Sequence, residues 1–184
     1  ILKGFGRFLG GGGLFVTEFS NPGVSTELEV GFAAHYPGMI MPLNLDKCGG
    51  EFMCQKGSFL CSENSVDISV GFAKKLKAGF FGSSGFVLQK LRGHGTAFVH
   101  AGGTLYTRKL GKGEVLRVDA GSLVGFSSTV QYSVALTGGI KNTLFGGEGM
   151  FMVHLTGPGV ILLQSMPFNK LVSYIIERSG LAGR

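Results

Sequence analysis

The chain lacks tryptophan, has few charged residues and contains no long hydrophobic run. Charged side chains make up 15% of its 184 residues, and tryptophan is absent. Its longest apolar stretches, such as 160–163, have the length of a strand, whereas a membrane-spanning helix needs a run of about 18 or more apolar residues. The sequence therefore predicts no transmembrane helix.

Cysteine is also scarce. Cys48, Cys54 and Cys61 are odd in number, and their spacing matches no zinc site. Free thiols in a reducing compartment are the simplest interpretation. No signal or transit peptide is visible. Because the chain begins with Ile1 rather than Met, we expect native N-terminal residues to be absent from it.

Glycine, in contrast, is abundant, and 33 glycines without a collagen period indicate tight turns between short strands. A Gly-rich turn at 81–86 recurs at 145–150, and an earlier copy lies at 9–14. The first and last glycines of these turns are Gly10, Gly13, Gly82, Gly85, Gly146 and Gly149. No turn is followed by Lys-Ser or Lys-Thr or by a helical pattern, so we interpret the glycines as structural rather than phosphate-binding.

Position 81 corresponds to position 145, and we call this separation the repeat offset. The same offset relates two segments with alternating apolar residues. Segments 66–72 and 130–136 carry apolar residues at every second position, in the same register. This period predicts one strand with a buried face in each segment. Each strand ends a first half-unit, which begins near Gly113 in the later copy. A second half-unit begins with the Gly-rich turn, continues as an apolar strand, turns at 93–95 or 157–159 and re-enters the sheet.

Five half-units of an expected six are present, so an opening N-terminal β-segment is predicted to be missing. The chain is therefore interpreted as one domain of three repeats, approximately 1–48, 49–111 and 112–167. Duplicated units of this kind pack against their own copies.

An amphipathic helix is predicted at 168–181. Its apolar residues have the spacing of one helix face: Phe168, Leu171, Val172, Ile175 and Ile176. Gly180 stands where the C-terminus of the helix would be capped. One interpretation is that the helix packs on the sheets or covers their open end. The alternative is a contact with a partner or a membrane surface.

No catalytic or metal-binding constellation stands out. The four histidines share no repeat position, so the repeat does not gather them around a metal. They are His35, His94, His100 and His154. Glu114 and Asp119 lie at an odd spacing on a predicted strand, which directs them to opposite faces. No serine lies in a nucleophile turn. We expect no catalytic residues, no metal, no cofactor and no enzymatic activity.

The net charge of +6 has its densest source in Lys74, Lys75 and Lys77, between a strand and a Gly-rich turn. A solvated loop is the simplest interpretation, and contact with an anionic partner is the alternative. The 16 phenylalanines fit apolar strand positions rather than exposed stacking sites, so nucleic-acid binding is not expected.

Several short segments, taken together, resemble a known family. They are 86–91, 101–104, 116–119, 138–142, 144–149, 155–159 and 163–167. In combination they resemble the altered-inheritance-of-mitochondria family, which is also a widespread bacterial and archaeal domain of unknown function. The resemblance covers nearly the whole chain.

This resemblance implies an all-β fold similar to the tryptophan RNA-binding attenuator protein, with three β-repeats in pseudo-threefold symmetry, in the double-stranded β-helix class. It also implies an extra N-terminal β-segment. Eukaryotic relatives are associated with the mitochondrial inner membrane, so the expected location is mitochondrial for a eukaryotic chain and cytoplasmic for a prokaryotic one. The family has no agreed catalytic residues, and the RNA-binding role does not transfer with the fold.

Two functional hypotheses follow. The first is a non-enzymatic scaffold or assembly protein that acts as a homo-oligomer or with a protein partner, and peripheral membrane contact is compatible with it. The second is a small-molecule or anion-binding module with a pocket between repeats, where backbone N–H groups of Gly turns would hold an anion.

Overall fold

In the described part of the chain the fold is all-β with one helix after the last strand, as predicted. The structure, a computed structural model, describes residues 16–21, 23, 27–74, 86–136 and 151–179. Within these ranges, no helix has the length and apolar character needed to cross a membrane.

The described ranges contain twelve strands, three short 3-10 turns and one α-helix. The strands are β1 Gly38–Asn44, β2 Glu51–Gln55, β3 Phe59–Ser62, β4 Val66–Lys74, β5 Phe86–Gly93, β6 Thr96–Gly102, β7 Leu105–Leu110, β8 Val115–Asp119, β9 Leu123–Ser127, β10 Gln131–Leu136, β11 Phe151–Thr156 and β12 Gly159–Gln164. The 3-10 turns are Asp46–Cys48, Lys56–Ser58 and Ala120–Ser122, and the helix, α1, is Phe168–Arg178.

The strands pair antiparallel in three sheets. One six-stranded sheet has the order β4-β5-β2-β9-β12-β7, and two three-stranded sheets have the orders β1-β6-β3 and β10-β11-β8. In the six-stranded sheet, Met53 of β2 lies opposite Phe126 of β9. This β2–β9 seam joins the strands of residues 38–102 to those of residues 105–164.

The chain changes sheet between β5 and β6, and again between β11 and β12. This differs from the expectation that the second half-unit turns back into its own sheet. The reason is local: residues 93–95 form a corner, with φ of 138° at Gly93 and 94° at Gly95. A Cβ at Gly93 would also collide with the Ser65 carbonyl. Only glycine adopts this backbone without strain.

The pairings on the two sides of the seam have matching registers at the repeat offset. Ile68 lies opposite Leu91, and Tyr132 lies opposite Leu155. The β3–β6 and β9–β12 pairings also match, and each has an irregularity at the corresponding step. The sequence agreement between 66–72 and 130–136 therefore corresponds to agreement in strand pairing.

Apolar side chains form two buried clusters, and single strands contribute to both. Leu88 of β5 and Ile161 of β12 belong to one cluster, while Leu91 and Leu162 of the same two strands belong to the other. All four side chains are fully buried. Burial of one such side chain stabilises the fold by about 1.5–3 kcal/mol. Because β5 and β12 contribute to both clusters, a loss of packing in one cluster is expected to affect the other.

The predicted alternation of β4 stops at a bulge. Val66 and Ile68 are buried, but Val70 is 44% exposed. The register of β4 against β5 shifts between Val70 and Phe72. The single buried face of β4 therefore extends only to Ile68, and the extra residue lies just beyond Val70.

Helix α1 begins at the predicted residue, Phe168, and ends at Arg178. Gly180, the predicted capping residue, lies outside the described residues. The Phe168 ring lies 5.0 Å from the ring of Tyr36, which anchors the first turn. No residue of the helix is buried, so its apolar face is not packed into the body formed by the described residues.

Candidate functional site

Two corner turns, Lys56–Ser58 and Ala120–Ser122, meet at the candidate site. Each follows a strand and leads the chain into a different sheet. The Asp119 carboxylate accepts a hydrogen bond from the Gly121 N–H at 2.7 Å, which closes the second turn. The side-chain amide of Gln55 donates to the Ala120 carbonyl. This hydrogen bond ties the first corner to the second.

A cavity of about 460 Å³ lies between the corner turns and the first turn of α1. Its remaining walls come from residues 35 and 36 and from the ends of β5 and β12. Small-molecule sites have volumes of about 300–1,000 Å³. The cavity is therefore large enough for a small organic ligand.

Aromatic side chains form much of the cavity wall. They are Tyr36, Phe59, Phe86 and Phe168, and Pro167 lies beside them. Phe86 is fully buried, whereas Phe168 is 46% exposed. The wall therefore runs from the core to the surface, as expected for a site that accepts an apolar group from solvent.

The charged residues around the cavity are mostly basic. Lys56 lies in the first corner turn, Lys170 lies in the first turn of α1, and His35 precedes β1. Among the described residues that line the cavity, Asp119 is the only acidic one. No residue in the described part of the chain forms an ion pair with either lysine. Both ammonium groups are therefore available to an anion.

Gly57 and Gly121 are corner residues related by the repeat offset, but their surroundings differ. A Cβ built on Gly57 would meet no atom within 4 Å. A Cβ on Gly121 would lie 2.9 Å from Asp119 Oδ1 and 3.7 Å from the Pro167 Cβ. One corner is therefore open to the cavity and the other is covered.

His100 and Gln164 are related by the same offset and differ in hydrogen bonding. Gln164 accepts a bond from the Gly102 N–H at 2.8 Å and donates to the Gly121 carbonyl at 2.7 Å. His100 is 4% exposed, and its Nε2 has no hydrogen-bond partner among the described residues. Its ring lies 4.5 Å from the Tyr36 ring. Burial lowers the pKa of His100, because the charged imidazolium loses hydration.

Most of the site residues singled out from the sequence lie outside the described residues. This applies to Gly10, Gly13, Gly82, Gly85, Gly146, Gly149, Lys75 and Lys77. Lys74 is the last residue of β4. The proposed roles of the Gly-rich turns and the basic cluster therefore stay predictions.

The structure places two of the histidines in unrelated surroundings. The His94 Nδ1 lies 2.7 Å from Asp46 Oδ1 in an exposed pair, whereas His100 is buried under Tyr36. In the described part of the chain, no group of three or more His, Cys, Asp or Glu side chains could hold a metal ion.

Glu114 and Asp119 have separate structural partners. Glu114 lies just before β8 and accepts hydrogen bonds from Arg108 at 2.7 Å and from the Gly111 N–H at 2.9 Å. The Gly111 and Arg108 contacts lower the pKa of Glu114. Asp119 closes the second corner turn, so the two carboxylates stabilise different turns.

The three cysteines are free thiols. Burial raises the pKa of each, and it raises the pKa of Cys54 to about 12. A thiol with such a pKa has almost no thiolate at neutral pH and is a poor nucleophile.

Sequence reasoning missed the cavity residues Gln55, Lys56, Tyr36 and Lys170. A usable signal was present in the repeat: Gln55 aligns with Asp119, and His100 aligns with Gln164. Where two matching positions carry different side chains, the two sides of the seam have different contacts. Tyr36 and Lys170 lie outside that comparison, and the sequence carries no signal that brings them together.

The fold and the site define an antiparallel all-β protein with a basic, aromatic-walled cavity beneath a C-terminal helix. The chain belongs to the family described as Mitochondrial biogenesis AIM24, whose profile matches residues 1–166. The resemblance drawn from the sequence is thus confirmed.

Two proteins of Streptococcus pyogenes are similar to the chain. An uncharacterized protein of the serotype M6 strain is 25% identical over 172 residues, which cover 89% of this chain and 66% of the relative. A crystal structure of a Streptococcus pyogenes protein superimposes with a TM-score of 0.67 at 22% identity, covering 79% of this chain and 62% of that one. The latter similarity supports the fold alone. The chain spans somewhat less than two thirds of the length of that solved structure.

Proposed function

We propose that the protein is a non-enzymatic ligand-binding module, whose ligand occupies the cavity between the corner turns. The observation that carries this proposal is the 460 Å³ cavity with aromatic walls and two lysines outside any ion pair of the described chain. Apolar walls with a few polar groups that fix orientation are typical of small-molecule sites.

The Gly57→Leu variant tests this function. Gly57 lines the cavity and has open space for a side chain, so a leucine at this position is expected to narrow the cavity. Gly31→Leu is the matched control, because Gly31 also has open space but does not line the cavity. We expect mass spectrometry of protein purified from its source to detect a small molecule with wild type and Gly31→Leu, but not with Gly57→Leu. Equal recovery from all three proteins would contradict the proposal.

A second candidate function is assembly, with a second copy of the chain as the partner. The observation that favours it is the apolar face of α1, where Ile175 and Ile176 are 54% and 41% exposed. Burial of such a face commonly drives association. Ile176→Glu is expected to lower the oligomeric mass measured by light scattering, while Ser173→Glu, on the polar face, is not. A monomeric wild type at all concentrations would exclude self-association.

We also propose that the chain is built of three β-repeats in pseudo-threefold symmetry, in the double-stranded β-helix class. The strand registers that match at the repeat offset support this proposal. A crystal structure of the native-length protein is expected to relate the repeats by threefold rotations. A cytoplasmic location in a prokaryote, or a mitochondrial one in a eukaryote, is proposed from the family alone. Contact of Lys74, Lys75 and Lys77 with an anionic partner is proposed from the density of positive charge in this segment of the sequence.

A further inference from the structure

We propose that the cavity binds an anionic amphiphile, in which a carboxylate or phosphate is joined to an apolar body. This inference rests on the ligand-binding function proposed above and adds the chemical class of the ligand. It follows from the combination of charge and apolar wall at one site.

The anionic group is assigned from the charges that face the cavity. Lys56 and Lys170 supply two ammonium groups without ion-pair partners in the described chain. Asp119, the one carboxylate among the described lining residues, already accepts a hydrogen bond from the Gly121 N–H. The first turn of α1 also lines the cavity, and no side chain caps it. Because a helix N-terminus carries a partial positive charge, it adds to the preference for an anion.

The apolar body is assigned from the wall between those charges and the core. Phe59 and Phe168 line the cavity and keep exposed area, and an ion without an apolar part would leave this area in contact with water. Burial of apolar ligand area contributes about 25 cal/mol per Å². A simple inorganic anion would gain nothing from it, so the cavity favours a ligand with both parts.

Open space at one corner also favours an extended ligand. The Gly57 corner leaves its neighbourhood empty, whereas Pro167 covers the equivalent Gly121 corner. The Gly57 edge therefore offers more room for the ligand body than the Gly121 edge. The leucine side chain of Gly57→Leu is therefore expected to compete with the apolar body of the ligand for this space.

Isothermal titration with five probes tests the ligand class. Octanoate and octyl phosphate carry both parts and represent fatty-acid and phospholipid-like sources. Octanol and octyltrimethylammonium keep the chain but lack the negative charge, and inorganic phosphate lacks the chain. We expect one or both anionic amphiphiles to bind about tenfold or more tightly than octanol or phosphate, since a hydrogen bond to a charged group contributes about 1.5–3 kcal/mol.

Charge variants identify the binding position. Lys56→Met and Lys170→Met keep the length of the side chain and remove its charge, and each is expected to weaken octanoate binding about tenfold. Lys109→Met, an exposed change on β7 outside the cavity lining, is expected to leave it unchanged. Octanol binding should not respond to any of the three changes.

The outcomes separate this inference from the function on which it rests. Octanol binding as tight as octanoate, and lost in Gly57→Leu, would overturn the ligand class but support the cavity as a binding site. Tight inorganic phosphate binding would overturn the amphiphile in the same way. Lysine variants without effect on octanoate would also overturn it. Absence of binding by all five probes, with no small molecule recovered from the purified protein, would overturn both.

Discussion

At the scale of residues, Gln164 forms two side-chain hydrogen bonds that its repeat counterpart His100 does not form. The Gln164 amide bridges the Gly102 N–H and the Gly121 carbonyl. His100 has the same place in the neighbouring sheet, and its Nε2 lies close to Gly38, which aligns with Gly102. The bridge made by Gln164 has no counterpart at His100, whose buried Nε2 is left without a partner among the described residues.

We expect His100→Gln to raise stability, most clearly in acid. One recovered hydrogen bond contributes about 1 kcal/mol. The wild-type folded state has a lowered His100 pKa, so the unfolded chain takes up a proton first as pH falls through about 6.5. Wild type therefore loses stability below that pH, until the folded pKa is passed. Urea unfolding at pH 8 and pH 5.5 measures the effect.

For the same change, the control is His154→Gln, at a partly exposed position of β11. A stability difference between pH 8 and pH 5.5 that is as large in His100→Gln as in wild type would contradict the burial argument.

Cys54 is expected to resist thiol reagents in the folded protein. It is fully buried, and its pKa is raised to about 12. Iodoacetamide at pH 8 should modify the partly exposed Cys48 and Cys61 first, and Cys54 only in urea. Peptide mass spectrometry with time gives the three rates. Fast labelling of Cys54 in native buffer would show that the seam strand β2 opens readily.

Sequence reasoning at this scale could match positions but not contacts. The alignment of His100 with Gln164 was visible, yet which of the two has satisfied polar atoms depends on the carbonyl that each side chain reaches. The cavity was out of reach for the same reason, because Tyr36 and Lys170 come from opposite ends of the described chain.

At the scale of elements, carboxylates at turns hold neighbouring strands together. Glu114 connects the end of β7 to the start of β8 through Arg108 and Gly111. Asp46 contacts both His94 and the Gly95 N–H, at the corner between β5 and β6. These contacts lower the pKa of each carboxylate.

Glu114→Gln is expected to lower the melting temperature at pH 7. The folded pKa of Glu114 is lowered, so the stabilisation by its carboxylate is present above the unfolded pKa and is lost as pH falls through the folded pKa. The difference from wild type should therefore shrink in strong acid. Thermal unfolding followed by circular dichroism at pH 7 and pH 3 measures it.

Glu177→Gln, on the exposed helix α1, provides the comparison for Glu114→Gln and is expected to change little. A Glu114→Gln difference that stays constant down to pH 3 would mean that the stabilisation does not depend on the negative charge of the carboxylate.

Element type could be predicted from the sequence where the period was clear. The buried positions Val66 and Ile68 and the start of α1 at Phe168 follow from a strand period of two and from the helical period. The bulge near Gly71 and the change of sheet at residues 93–95 could not be predicted. Both depend on where a neighbouring strand lies, and neither leaves a period in the sequence.

At the scale of the whole molecule, the β2–β9 seam joins the two sets of strands. Gly125 lies on it opposite Cys54, and a Cβ there would lie 2.5 Å from both the Met53 carbonyl oxygen and the Phe52 ring. At the repeat offset, Gly125 aligns in sequence with Cys61 of β3. Among the described strands, β3 pairs only with β6. Gly125 thus occupies a position that a second strand, β2, approaches closely. Cys61 occupies the equivalent position in β3, which has no second partner among the described strands.

Gly125→Ala is therefore expected to destabilise the whole protein by about 1–3 kcal/mol, the usual cost of overpacking a buried site. The added methyl group would press on the backbone of β2, which cannot rotate away as a side chain can. Because β5 and β12, on either side of the seam, each contribute to both buried clusters, the loss should appear as one shifted cooperative unfolding transition in urea. Gly31→Ala, in open space, should leave the midpoint unchanged or slightly raised. Two separate transitions in Gly125→Ala would show instead that the strands on each side of the seam fold independently.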